Sequence, residues 1–228
     1  MKWLKADFHC HTADDPRDHI AYSTEMLLDA VVRRGIEVMA VACHTHVAYT
    51  RRLSSYAAAR GLVLVPAAEL SIEGAHVVAL NPDDEQASAS TFAQLRRLGR
   101  RDAFFIAAHP FYPGKTCIGK RLIRNIDLFD AVEHCTLYYP FLNFNRKGIT
   151  TARRFDLPLI GTSDTHALPY CDSTYTRVYA DPTVTGVMEA LRAGRVELVT
   201  QPSGVERALK ALHFSALQAV RDWSLLSD

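Results

Sequence analysis

Short apolar runs alternate with longer amphipathic ones almost from end to end of this chain, and that alternation limits the fold more than any other feature. The short runs predict strands over 6–9, 38–42, 63–66, 76–80, 103–107, 131–134, 159–161 and 177–179. Helical periodicity fills the gaps, over 25–34, 53–60, 91–99, 119–125 and 149–155. Gly35, Gly61 and Gly99 follow helical runs directly, where a left-handed C-cap takes glycine. Repeated strand–helix units predict parallel strands joined by right-handed crossovers. Roughly seven such units suggest a closed barrel, and an open doubly wound sheet fits the same pattern nearly as well. Beyond Thr183 the pattern turns helical, over 185–193 and 204–223, as expected for helices packed outside one domain spanning 1–228.

The 228 residues are 48% hydrophobic and 22% charged, enough for one soluble domain with a substantial core. A formal net charge of +1 argues against a nucleic-acid partner held by bulk electrostatics, while leaving room for a local basic pocket. Lys2 and Lys5 interrupt any secretory apolar stretch, and no apolar run nears the roughly 18 residues of a membrane span. Cys10, Cys43, Cys117, Cys135 and Cys171 are scattered and lack a CxxC spacing. Neither a disulfide framework nor a structural Cys–zinc site is expected, and a reducing cytoplasm is.

Chemistry enters through what stands at the ends of these strands. His9 and His11 close the first, two residues apart, so strand alternation aims both the same way. His44 closes the second, Glu69 follows the third, and His76 begins the next after a turn at Gly74. His109 ends another strand, and Asp164 and His166 end a late one. Any one of these is more often a satisfied core or surface group. Six strand ends carrying ligand-type side chains, converging on one mouth of a parallel barrel, predict a metal site.

These stretches also resemble a known family. Asp7-Phe8-His9-Cys10-His11-Thr12 is similar to the first motif of the PHP (polymerase and histidinol phosphatase) family, and Ala40-Val41-Ala42-Cys43-His44 to the second, with Cys43 where an aspartate is common. Ala68-Glu69-Leu70, Ala108-His109-Pro110 and Ser163-Asp164-Thr165-His166 resemble the later motifs, in the family's order. The resemblance implies a distorted TIM-like (β/α)7 barrel with its metal cluster at the C-terminal strand ends. It implies two or three divalent metals, and the His–carboxylate donor set suits Mn, Fe or Zn. The implied ligands are His9, His11, His44, Glu69, His76, His109, Asp164 and His166, with Glu69 bridging two ions. A ninth falls between Asp14 and His19: counting forward favours Asp15, counting back from Ser23 favours His19, and Asp18 also qualifies.

The implied activity is hydrolysis of a small phosphate ester, a nucleotide or a sugar or histidinol-type phosphate, by water activated between two ions. His134 or His46 would protonate the leaving group. Arg177, Arg51, Arg52, Lys115, Lys120, Arg121 and Arg124 are candidate phosphate-binding cations, and the aromatics of 111–115 and 137–141 candidate stacking surfaces. Two alternatives compete. An amidohydrolase-type barrel also opens with HxH, but usually carries a carboxylated lysine where Glu69 stands. A catalytically silent metal-binding module supporting a partner is the other.

Overall fold

A computed structural model of the chain describes residues 1–203. The expected helix over 204–223 lies outside the described residues. Among the described residues, ten strands form two five-stranded sheets. One has the order β10-β9-β1-β2-β3, from β1 (Lys2–Asp7), β2 (Val38–Ala40), β3 (Val63–Val65), β9 (Thr174–Ala180) and β10 (Val196–Thr200). The other runs β4-β5-β6-β7-β8, from β4 (Ala67–Ile72), β5 (Ala75–Leu80), β6 (Phe104–Ala107), β7 (Ala131–Cys135) and β8 (Leu159–Thr162). The helices are α1 (Thr24–Val32), α2 (Arg51–Ala58), α3 (Asp84–Ala87), α4 (Phe92–Leu98), α5 (Arg121–Arg124), α6 (Asn145–Arg154) and α7 (Val184–Arg192).

Local chemistry starts the helices where the sequence changes period. Ser23, Thr50, Thr91 and Thr183 each accept a backbone N–H of the first turn, and Gln94 completes a capping box with Thr91. α6 starts earlier than its periodicity suggests. The Asn145 side chain is pinned between the Cys135 N–H and C=O, at 3.0 and 2.9 Å, which fixes the first turn against the end of β7.

The sheets depart from an all-parallel closed barrel in two ways. First, β4 and β5 form a hairpin through Glu73-Gly74, both at positive φ (50° and 77°), the geometry of a type I′ turn. β5 therefore runs against its neighbours β4 and β6. Second, β9 and β10 are antiparallel additions beside β1. Region 196–200, read from sequence as part of a helical tail, is strand.

No backbone ladder joins β8 to β9. Thr176 Oγ1 instead accepts the Gly161 N–H at 2.9 Å and donates to its carbonyl at 3.0 Å. Only glycine permits this approach, because a Cβ at Gly161 would lie 2.6 Å from the Tyr175 carbonyl oxygen and from Leu198 Cδ1.

The strand ends are stitched together individually. The Asp164 N–H bonds to the His9 carbonyl at 2.9 Å and the His11 N–H to that of Thr165 at 3.0 Å. Ala42 N–H reaches Cys10 at 2.8 Å, and Glu69 N–H reaches Cys43 at 3.0 Å. Asp7, fully buried, accepts from the Ser163 N–H and the Tyr170 hydroxyl, tying β1 to the same edge. Apolar side chains of both sheets (Leu4, Val38, Val78, Ile106, Ile160) fill one interior together with Val187 and Leu191 of α7. The open end of that interior is where the ligand-type side chains gather.

Candidate metal centre

Beyond Asp7 the chain leaves the strand, yet a parallel bridge between Cys10 and Thr165 keeps it extended. Cys10 packs outward beside Met39 and Val41, so His9 and His11 flank it on the inner side. Their Nε2 atoms are 3.1 Å apart. His9 Nδ1 donates to Glu133 Oε1 at 2.7 Å and His11 Nδ1 to Asp15 Oδ2 at 2.8 Å. Those carboxylates fix the tautomers, leaving two Nε2 lone pairs aimed at one point. Lone pairs so placed repel unless a cation or proton sits between them.

Glu69 faces the same point from β4 and is buried. Its Oε1 lies 2.8 Å from His76 Nδ1 and 3.3 Å from the Nε2 atoms of His9 and His109. Its Oε2 lies 3.0 Å from His44 Nε2 and 3.5 Å from His11 Nε2. Five imidazoles around one carboxylate exceed what its lone pairs accept as ordinary hydrogen bonds. Asp164 Oδ1, 3.5 Å from the Nε2 atoms of both His9 and His11, is buried with no hydrogen-bond partner, as is His76 Nδ1 despite its closeness to Glu69. Close approach without hydrogen-bond alignment is the arrangement of donors that share an ion.

Three groupings emerge: His9, His11 and Asp164; Glu69 with His9 and His109; and Glu69 with His44 and His76. A fourth joins His11, Asp15, Asp18 and His44, whose ligand atoms all lie within 4.8 Å of one another. His166 Nε2 adds to that side, 3.0 Å from Asp18 Oδ2. The donor set of imidazole and carboxylate fits divalent transition metals.

The electrostatics agree. Burial alone would raise Glu69, but the charge of His9 and the close imidazoles of His109, His44 and His76 hold it well below the usual carboxylate range. Burial opposes charge on His44, yet the hydrogen bonds of Asp15 and Glu69 lift it to about 10. In the metal-free fold the carboxylates of the cluster are compensated by protonated imidazoles, charge that a bound cation would replace.

The backbone is strained where the ligands are set. His109 and Asp164 have φ of 27° and 48°, and Thr45, beside His44, has 52°. Non-glycine residues hold such angles only when the surroundings impose them, and such sites cluster at functional centres.

The structure brings all eight expected ligands together, with His76 there for an unexpected reason. It stands at the start of a strand, and only the antiparallel direction of β5 puts that start at the mouth. Between Asp14 and His19, it is Asp15 and Asp18 that face the cluster. Asp15 is buried behind His11 and His44, also accepting the His44 N–H at 2.8 Å, whereas His19 is exposed and turned away.

His134 and Arg177 both lie away from this cluster. On β7 the inward residue is Glu133, so pleat alternation turns His134 outward, against Tyr138. Arg177 lies on the outer side of β9, paired with Glu197 at 3.1 Å and stacked over Trp3. His46 is exposed and outside the cavity.

At the end of β7 it is Glu133 that orients a candidate ligand. It receives His9 Nδ1, the Thr162 hydroxyl at 2.6 Å and the His109 N–H. Its sequence signal was an acid at a strand end, beside a more conspicuous histidine.

Above the cluster opens a cavity of about 520 Å³, walled by Tyr112, Pro113, Gly114, Thr116, Cys117 and Leu137. Tyr112 is fixed by donating to the Leu137 and Cys135 carbonyls, at 3.0 and 3.3 Å. The cation that lines this cavity is Arg17, rather than any expected from sequence, and among the described residues it forms no ion pair. Arg52 instead pairs with Glu25, and Arg121 donates to the Glu73 carbonyl.

The PHP-associated family model (PHP_C) matches residues 143–196, the stretch carrying Asp164 and His166. No curated protein sequence matches significantly. Among solved structures, PsfC from Pseudomonas syringae PB-5123 is similar over 99% of this chain and 100% of its own, with 16% identity and a TM-score of 0.63. A protein of Bifidobacterium adolescentis, thought to be a metal-dependent phosphoesterase, aligns over 73% of this chain and 90% of its own, with 15% identity and a TM-score of 0.58. The lesion-specific endonuclease Q of Pyrococcus furiosus aligns over 86% of this chain at 13% identity and a TM-score of 0.62, but the chain spans only 57% of it. These solved structures share the fold of this chain, and its segment 143–196 carries the PHP-associated signature.

Proposed function

We propose that this chain is a metal-dependent phosphoesterase holding two or three divalent ions of the manganese, iron or zinc kind. His9, His11 and Asp164 would hold one, Glu69 with His44 and His76 a second, and Glu69 with His9 and His109, or Asp18 with His11 and His44, a third. Bound there, such ions acidify water near neutral pH and neutralise phosphoryl oxygens.

The protein's own groups do the rest. Glu133 and Asp15 hold the ring tautomers, and Arg17 offers a guanidinium fork to phosphate oxygens at the cavity rim. Tyr112, Pro113 and Leu137 form a partly apolar wall against the leaving group. A cavity of about 520 Å³ suits a nucleotide or sugar phosphate. The observation that carries the reading is the convergence of His9 and His11 Nε2 on the unpartnered Asp164 Oδ1, beneath a cavity whose unpaired cation is Arg17.

An amidohydrolase-like C–N hydrolase is disfavoured, since Glu69 stands where such a carboxylated lysine would, and no lysine among the described residues lines the cavity. Among the described residues no helix is long and apolar enough to cross a membrane.

The test is metal analysis and p-nitrophenyl phosphate hydrolysis on protein reconstituted with Mn, Fe or Zn. Two or three equivalents and turnover abolished in folded His9→Ala and Asp164→Ala variants are expected. Less than one equivalent would overturn the cluster, and full occupancy without turnover of any phosphorylated metabolite would favour the silent module.

A further inference from the structure

The net charge of +1 conceals a sharp segregation. Residues 103–126 and 134–155 carry eight lysines and arginines and no acid. The acids between them are engaged: Asp127 pairs with Arg96, Asp130 with Arg100, and Glu133 is buried against His9.

These two segments fold side by side. Arg146, Lys147, Thr150, Thr151 and Arg154 form one face of α6, and with Phe111 and Ile123 they line a groove of about 370 Å³. Among the described residues, Arg146, Lys147 and Arg154 make no ion pair with an acid.

The groove lies beside the metal cavity. α6 follows the inner end of β7, so Arg146 and Lys147 in its first turn stand nearest the mouth and Arg154 furthest. Phe144, just before α6, packs on Tyr112 of the cavity wall with centroids 5.4 Å apart. Phe111 of the groove precedes Tyr112 directly, so one loop separates the two spaces.

At the same end, a tight turn between Tyr139 and Leu142 projects Phe141 into solvent at 80% exposure. Its ring stacks on Tyr139, with centroids 5.8 Å apart and planes inclined by 17°.

We infer that the α6 groove and the Tyr139–Phe141 turn bind a single-stranded polynucleotide beside the metal cavity. A line of unpaired cations tracks a phosphate backbone, and exposed flat rings stack on bases without regard to sequence. A duplex hides its base faces, so the aromatic turn favours a single strand. The surface stands apart from the phosphoesterase reading; only delivery of a strand's phosphate to the cavity rests on it.

The test is fluorescence anisotropy of the metal-loaded protein with a labelled phosphorothioate oligodeoxythymidine, with p-nitrophenyl phosphate turnover measured in parallel. The single strand should bind more tightly than a duplex of equal length. Arg146→Glu with Lys147→Glu should weaken it by roughly ten-fold or more and lower the log–log salt slope by about 0.7 per lost contact. Phe141→Ala should weaken it by roughly five-fold or more through lost stacking. Turnover of the small substrate should stay unchanged in both variants. Oligonucleotide affinity equal in wild type and variants would overturn the inference. So would selective binding to polyglutamate or anionic vesicles, which would assign the surface to an acidic protein or a membrane. Loss of p-nitrophenyl phosphate turnover in the wild type, with strand binding intact, would instead sink the phosphoesterase reading alone.

Discussion

His9 Nδ1 donates to Glu133 Oε1 at 2.7 Å, with both side chains fully buried. The same carboxylate receives Thr162 and the His109 N–H, so one acid orients one candidate ligand and anchors the backbone of another. Glu133→Gln should therefore lower metal affinity by roughly 10–100-fold, as other carboxylates behind ligand histidines do. Competition against a chromophoric chelator reads the affinity, and circular dichroism checks the fold. Unchanged affinity would remove Glu133 from this role.

Protons compete with metal at His44. Its pKa in the metal-free fold is raised to about 10 from an ordinary value near 6.5, so the protonated ring favours the folded state. That contribution is full below about 6.5 and is lost as pH rises through about 10. Metal affinity moves the opposite way, climbing across the same window as the proton leaves. Calorimetry in buffers of differing ionisation enthalpy should show protons released on zinc binding at pH 7.5. No release would mean that His44 is already neutral.

Arg17 is the guanidinium at the cavity and has no acid partner among the described residues. Its fork would add charge-assisted bonds to phosphate, typically worth about 1.5–3 kcal/mol. Arg17→Ala should raise KM for a phosphorylated metabolite by roughly ten-fold or more, with metal content unchanged. Equal KM values would place the phosphate contact elsewhere.

Gly161 sits where β8 meets Thr176 and Leu198. A methyl there would overlap the Tyr175 carbonyl, and overpacking of this kind costs about 1–3 kcal/mol. Gly161→Ala should lower Tm by about 2–12 °C for a chain of this size. An unchanged Tm would show that the two sheets part easily at this junction.

Element types and the order of ligand-type residues were legible because each depends on neighbours in sequence. A period of two or 3.6 marks strand or helix, and His9, His44, Glu69, His109 and Asp164 each stand where an apolar run stops. Three-dimensional packing decided the rest. Periodicity says which residues share a face and is silent on which face turns inward, so Glu133 and His134 looked alike until β7 was set between β6 and β8. Strand direction is equally silent, and the Glu73-Gly74 hairpin reversed β5 and brought His76 to the mouth. In the loop after His11, Asp15, Arg17 and His19 differ in sequence position by only a few residues. Bonds from His11 and His44 draw Asp15 inward, and the turn it then caps through the Arg17 and Asp18 N–H groups leaves Arg17 on the rim and His19 in solvent. Those bonds span distant segments, and local sequence carries no record of them.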